Sequence, residues 1–142
     1  MGARVLLVEG DDAVRLSVTK ALRARGVGVD AFSSAIDALS AVQAGGQWAR
    51  ALIDLNLPGM DGVALAERLL SYLPELEITF AAGGADARVL CRAHALGVVV
   101  WKPLGLGPLC ERFGTATRRS GVVMRRVNTR VAAEAPRRTK TA

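Results

Sequence analysis

Apolar runs and amphipathic stretches alternate five times along this chain. Val5-Leu-Leu-Val8 has no polar position, which predicts a strand covered on both faces, because a strand open to water on one face shows polar residues at every second position. Val14 to Ala24 puts Val14, Val18, Ala21 and Leu22 on one helical face and closes at Gly26. Val27 to Phe32 alternates as a second strand. Ser33 or Ser34 then caps a helix through Ala44, stopped by Gly45-Gly46. Ala51 to Asp54 is a third strand, Val63 to Tyr72 a third helix capped by Asp61, and Ile78 to Ala81 a fourth strand. Ala85 to Leu96 is a fourth helix ended by Gly97, and Val98 to Trp101 is a fifth strand. The last helix is expected to begin near Gly107 or Pro108 and to fade before the Arg-rich stretch.

Strictly alternating strands and helices predict an α/β fold, a doubly wound, five-stranded parallel sheet with helices on both faces. Right-handed crossovers place the loop after every strand on one edge of the sheet. In the strand order 2-1-3-4-5 the carboxyl ends of the first and third strands lie side by side, so the site belongs there. Glu9, Asp54, Ala82 and Lys102, distant in sequence, are expected to converge on that edge.

At 142 residues the chain fits one domain and a tail. The 51% apolar and 4% aromatic content means an aliphatic interior without an aromatic stacking platform. The net charge of +6 is unevenly spread: residues 1–111 carry ten Lys/Arg against twelve Asp/Glu, whereas residues 112–142 carry nine Lys/Arg against one Glu. The high charge therefore belongs to the C-terminal segment, and the chain reads as one folded domain over 1–117 followed by a basic, disordered tail over 118–142. That tail is too short for a helix-turn-helix with its support, so specific DNA binding is not expected. Cys91 and Cys110 lack metal-ligand spacing and are expected to be buried, reduced thiols. The single His94 cannot build a metal cluster. The N-terminus leads almost directly into a strand, and there is no span of about 20 apolar residues. The expectation is a cytoplasmic protein with no membrane contact.

The chemistry is concentrated in Arg50-Ala-Leu-Ile-Asp-Leu-Asn-Leu-Pro-Gly-Met-Asp-Gly62. A short apolar strand ends on Asp54, and Asn56 to Gly59 follow as a turn, so a carboxylate is presented at the sheet edge. This segment resembles the phosphoacceptor segment of response-regulator receiver domains. The Lys102-Pro103 pair after the fifth strand strengthens the resemblance, which covers about residues 3–115. It implies the flavodoxin-like, CheY-like form of the doubly wound sheet and a role in two-component signalling, not an enzyme activity of its own. Asp54 would accept a phosphoryl group from a sensor histidine kinase or phosphotransferase, and Lys102 would pair with that group. Mg²⁺ would be held by Glu9, Asp54 and the Asn56 backbone carbonyl. The fourth and fifth helices would meet a downstream protein partner.

Three positions depart from the receiver pattern. Gapless alignment of Val8-Glu9-Gly10-Asp11-Asp12 puts Gly10 where a second metal-binding acid normally stands. Mg²⁺ binding is accordingly expected to be weak, unless Asp11 supplies the missing carboxylate; Asp12 is read as the N-cap of the first helix. Ala82 falls where receivers carry a phosphoryl-sensing hydroxyl, and Thr79, three residues earlier, faces the other side of the strand. Val98 to Val100 offer no aromatic switch residue, and Trp101 is out of phase. Phe80-Ala-Ala-Gly and the 20-residue step from Ala82 to Lys102 are similar to the receiver subgroup with Phe-Ala-Thr-Gly, often single-domain or kinase-attached. A second reading follows from Gly10 and Ala82: a degenerate receiver acting as a phosphorylation-independent interaction module. A third assigns the basic tail to non-specific binding of nucleic acid or an anionic surface.

Overall fold

The structure is a computed structural model and describes residues 4–115. Five strands, β1 (Arg4–Val8), β2 (Gly28–Phe32), β3 (Arg50–Asp54), β4 (Glu77–Ala82) and β5 (Gly97–Trp101), form one sheet in the order β2-β1-β3-β4-β5. Every neighbouring pair is parallel. The helices are α1 (Asp12–Ala24), α2 (Ala35–Gln43), α3 (Gly62–Tyr72), α4 (Ala87–Leu96) and α5 (Leu106–Cys110), the last continuing into a π-helical turn over Glu111–Thr115. The fold expected from the sequence is the fold observed. The expected tail at 118–142 lies outside the described residues.

Period-two alternation along the strands divides the core into two layers. Leu6, Val8, Ala51, Ile53 and Phe80 face one side, where α2, α3 and α4 cover them with Leu39, Val42, Leu69 and Ala93. Val5, Leu7, Val29, Leu52 and Ala81 face the other, covered by α1 and α5 through Val18, Leu22, Leu109 and Phe113. With both faces covered, polar residues are excluded from the strand interiors, which is why β1 and β3 read as continuous apolar runs. Phe80 is wholly buried, and truncating such a side chain costs about 3–5 kcal/mol. Gly97 opens β5 where a Cβ would lie 2.1 Å from the Ile78 carbonyl oxygen, so the close approach of β5 to β4 requires glycine there.

Several local expectations need correction. The N-cap of α1 is Asp11, whose carboxylate accepts from the Val14 amide at 3.0 Å; Asp12 lies within the first turn and pairs with Arg15. Ser34 caps α2. Helix α4 starts two residues later than expected, at Ala87, because Asp86 caps it by accepting from Val89. Helix α5 begins at Leu106, just ahead of Gly107 and Pro108. Of the two free cysteines only Cys110 is buried; Cys91 is exposed on α4, since that helix buries a narrow stripe around Ala93. Thr79 is buried in phase with Ala81, away from the face carrying Phe80 and Ala82, as the strand offset requires.

Candidate functional site

Asp54 is the last residue of β3 and is 5% exposed. Backbone bonds fix where it sits: Leu55 N–H donates to Ala81 O at 2.9 Å, and Gly62 N–H donates to Leu55 O at 2.9 Å. The second bond folds the β3–α3 loop tightly back on the strand end. A Cβ at Gly62 would stand 2.4 Å from the Asp54 carbonyl oxygen, so only glycine permits the closure. Asp61 then starts α3 by accepting from Ala64 at 2.7 Å. Within the loop, Asn56 N–H donates to Asp54 Oδ1 at 3.0 Å, leaving Oδ2 facing across the edge.

Lys102, directly after β5, reaches that oxygen. Its backbone N–H donates to Ala82 O at 2.8 Å, anchoring it to the end of β4, and its peptide bond to Pro103 is cis. Lys102 Nζ lies 3.3 Å from Asp54 Oδ2 and 3.2 Å from Glu9 Oε1. Glu9, directly after β1 and 2% exposed, is held at both ends. Its N–H donates to Phe32 O at 3.1 Å, and Arg15 Nη1 donates to its carbonyl oxygen at 2.9 Å. Its Oε2 accepts from the Asp11 amide at 3.1 Å.

Two carboxylates thus share one ammonium, and the electrostatics are unequal. Unit charges about 4 Å apart interact by about 4 kcal/mol at an effective dielectric of about 20, so each added neighbour matters. Burial pulls Lys102 down, but Asp54 and Glu9 together outweigh it and hold the ammonium above its ordinary range. For Glu9 burial is the largest influence and acts upward. The Asp11 amide and Lys102 oppose it, Asp54 adds to it, and the carboxyl rests above the usual glutamate range.

The sequence-derived residues divide into those that meet and one that does not. Glu9, Asp54 and Lys102 converge, and Asn56 contributes its backbone amide to Asp54. Asp11 stands apart: its Oδ1 caps α1, and its contact with Glu9 is through its backbone amide. Beside the site, Gly10 leaves room for a side chain, a Cβ there meeting nothing closer than Pro58 Cδ at 3.5 Å. Ala82 closes β4 with no hydroxyl, and Gly83 and Gly84 follow it. The contact that sequence reasoning missed is the Asn56 side chain, whose Nδ2 donates to Gly84 O at 3.0 Å. A run of small residues opposite an amide-bearing loop was the available signal.

Among the described residues no group of three or more His, Cys, Asp or Glu could cage a metal ion. Two buried carboxylates do fit Mg²⁺, which retains several waters and takes one or two carboxylates together with phosphate oxygens. Among the described residues no helix is long and apolar enough to cross a membrane.

A buried strand-end aspartate, a second acid after β1 and a lysine after β5 on a 2-1-3-4-5 sheet make this a doubly wound α/β domain with its charged site at the carboxyl edge. Residues 5–113 match the response regulator receiver domain family, and the chain belongs to it. It is 31% identical over 134 residues to the C4-dicarboxylate transport transcriptional regulatory protein DctD of Rhizobium meliloti (strain 1021), covering 92% of this chain and 29% of that protein. It is 36% identical over 85 residues to the sensor kinase CckA of Brucella abortus (strain 2308), covering 59% of this chain and 9% of that one. The chain therefore spans under a third of these curated relatives. Among solved structures, a CheY-like response regulator receiver domain protein from Methanospirillum hungatei JF-1 shares the fold at a TM-score of 0.76. It is 23% identical, and the match covers 84% of this chain and 96% of that one.

Proposed function

We propose that Asp54 is the phosphoacceptor of this receiver and that Lys102 pairs with the incoming phosphoryl group. The observation that carries the reading is the Lys102 ammonium lying 3.3 Å from Asp54 Oδ2 while the other carboxylate oxygen is held by the Asn56 amide. The donor is a phosphohistidine on a sensor histidine kinase or phosphotransferase. An Asp54 oxygen attacks phosphorus, the P–N bond breaks, and its electron pair returns to the imidazole nitrogen, which takes up a proton. Lys102 is placed to follow the phosphoryl oxygens as charge develops there. Glu9, Asp54 and the Asn56 carbonyl would hold Mg²⁺, while Asp11 Oδ1 is engaged in capping α1. When bound, the ion supplies neutralisation of phosphoryl oxygen charge. With Gly10 in place of an acid, this binding is weak.

The chain acts in this reading as the substrate of a transfer in the cytoplasm. Its downstream protein partner meets the face of α4, β5 and α5, where Val98, Trp101 and Leu106 are exposed. The receiver unit is residues 1–117, and the basic segment 118–142 adds non-specific electrostatic attraction that salt would suppress. Gly10 and Ala82 favour a second reading, a phosphorylation-independent interaction module. Intact mass after incubation with acetyl phosphate and Mg²⁺ decides between them. Wild type is expected to gain one phosphoryl group and Asp54→Asn none; unmodified wild type at saturating donor and metal selects the interaction module.

A further inference from the structure

The β4–α4 loop of this protein has lost the hydroxyl through which it would touch a phosphoryl group, yet it remains joined to Asp54 by another path. Ala82, Gly83, Gly84 and Ala85 carry no polar side-chain atom, and the Asp86 carboxylate is engaged in capping α4. Among the described residues, one side-chain hydrogen bond crosses from the β3–α3 loop to this loop: Asn56 Nδ2 to Gly84 O at 3.0 Å. The same residue donates its backbone N–H to Asp54 Oδ1 at 3.0 Å. A carbonyl oxygen only accepts, so the Asn56 amide must turn its NH₂ toward Gly84; an acid at this position would set oxygen against oxygen.

We propose that Asn56 is the positioning residue through which the state of the Asp54 carboxylate reaches the β4–α4 loop and the start of α4. Its amide senses Oδ1, and its side chain, three bonds from the same Cα, holds Gly84. The ladder bonds Leu55 N–H to Ala81 O and Lys102 N–H to Ala82 O also link these strands, but neither uses an atom of the Asp54 side chain. Lys102 is the competing route, since it touches Asp54 Oδ2 and is anchored to Ala82. That route ends two residues before Gly84 and passes through a flexible stem. The regulatory meaning of the link rests on Asp54 being the acceptor, whereas its existence does not, so the test omits phosphoryl transfer.

The readout is the carbonyl carbon resonance of Gly84 together with the amide nitrogen of Ala85, which shares its peptide plane. Asn56→Ala is expected to move both toward unbonded values. Asp54→Ala, which removes the Oδ1 acceptor, should move them in the same direction, while Asp54→Asn, which keeps an oxygen for the Asn56 amide, should move them least. In an Asn56→Ala background the Asp54→Ala shift should vanish. Equal shifts from Asp54→Ala in both backgrounds would assign the coupling to Lys102 and overturn the proposal. So would Gly84 and Ala85 signals indifferent to Asp54. Should Asp54→Ala fail to fold, Asp54→Asn with Asn56→Asp serves instead: Asn56→Asp must reproduce the Asn56→Ala shift, and retention of the wild-type signals overturns the link.

Discussion

The two ends of this sheet hold similar charged groups in opposite balance. Toward the foot, where Arg4, Arg50 and Glu77 open their strands, Asp30 and Glu77 each have their own cation. Asp30 accepts from Arg4 Nε and Nη2, both at 2.7 Å, and from Trp48 Nε1 at 2.9 Å. Glu77 pairs with Arg50 at 3.0 Å, and the Arg50 guanidinium also lies 5.5 Å from the centre of the Phe113 ring. At the carboxyl edge, among the described residues, Glu9 and Asp54 share Lys102 alone. The titration behaviour separates accordingly. The Arg4 hydrogen bond, against some burial, holds Asp30 below the usual aspartate range, whereas burial and Asp54 hold Glu9 above the usual glutamate range. Matched pairs tie strands together; an edge with one carboxylate in excess is disposed to take up a cation.

Removing the shared cation should produce the largest effect. Lys102→Met leaves two buried carboxylates facing each other, and a loss of about 2 kcal/mol at neutral pH is expected, reduced from the fully buried case because part of the lysine is exposed. Urea denaturation should show that loss shrinking as acid protonates Glu9. A loss that stays constant down to acid pH would mean the lysine acts by packing alone.

Adding a ligand tests the same excess from the other side. Gly10→Asp has space for its side chain, and Mg²⁺ affinity is expected to rise on the order of tenfold because another anionic oxygen joins a hard-cation site. Calorimetric titration that finds equal affinity in both proteins would place the metal elsewhere.

Smaller, but opposite in sign, are the effects of neutralising one acid at each end. For Glu9, whose folded value is raised, stability is fully present below the ordinary glutamate range and is lost as pH rises through the folded value. Glu9→Gln should therefore hold or raise the melting temperature at neutral pH. For Asp30, whose folded value is lowered, stability is present above the ordinary aspartate range and is lost as pH falls through the folded value. Asp30→Asn should lower the melting temperature at neutral pH and make little difference in strong acid. Melts of the two variants that shift in the same direction would erase the contrast between the edges.

The convergence of Glu9, Asp54 and Lys102 was legible because each directly follows or ends an apolar strand, and right-handed crossovers send all such positions to one edge. Adjacent Asp11 and Asp12 were not separable in the same way. Both suit an N-cap, and only the entry angle of the chain decides which one accepts from an amide two or three residues ahead. The turn over Glu111–Thr115 was hidden because Pro108 and Gly114 leave no regular period to read. At the foot, Arg50 and Glu77 become partners only once β3 and β4 are placed side by side in register. The Asn56 link to Gly84 needed side-chain geometry, since the sequence had assigned Asn56 only a backbone role.

The imbalance at the carboxyl edge is measured most directly by the Glu9 side-chain carboxyl carbon, followed by NMR through a pH titration of the wild-type protein without metal. Glu9 is predicted to titrate above the usual glutamate range and to return toward it when Mg²⁺ is added. A Glu9 carboxyl that titrates at or below the usual range without metal would contradict the account, because Lys102 would then satisfy both acids and the edge would hold no excess charge.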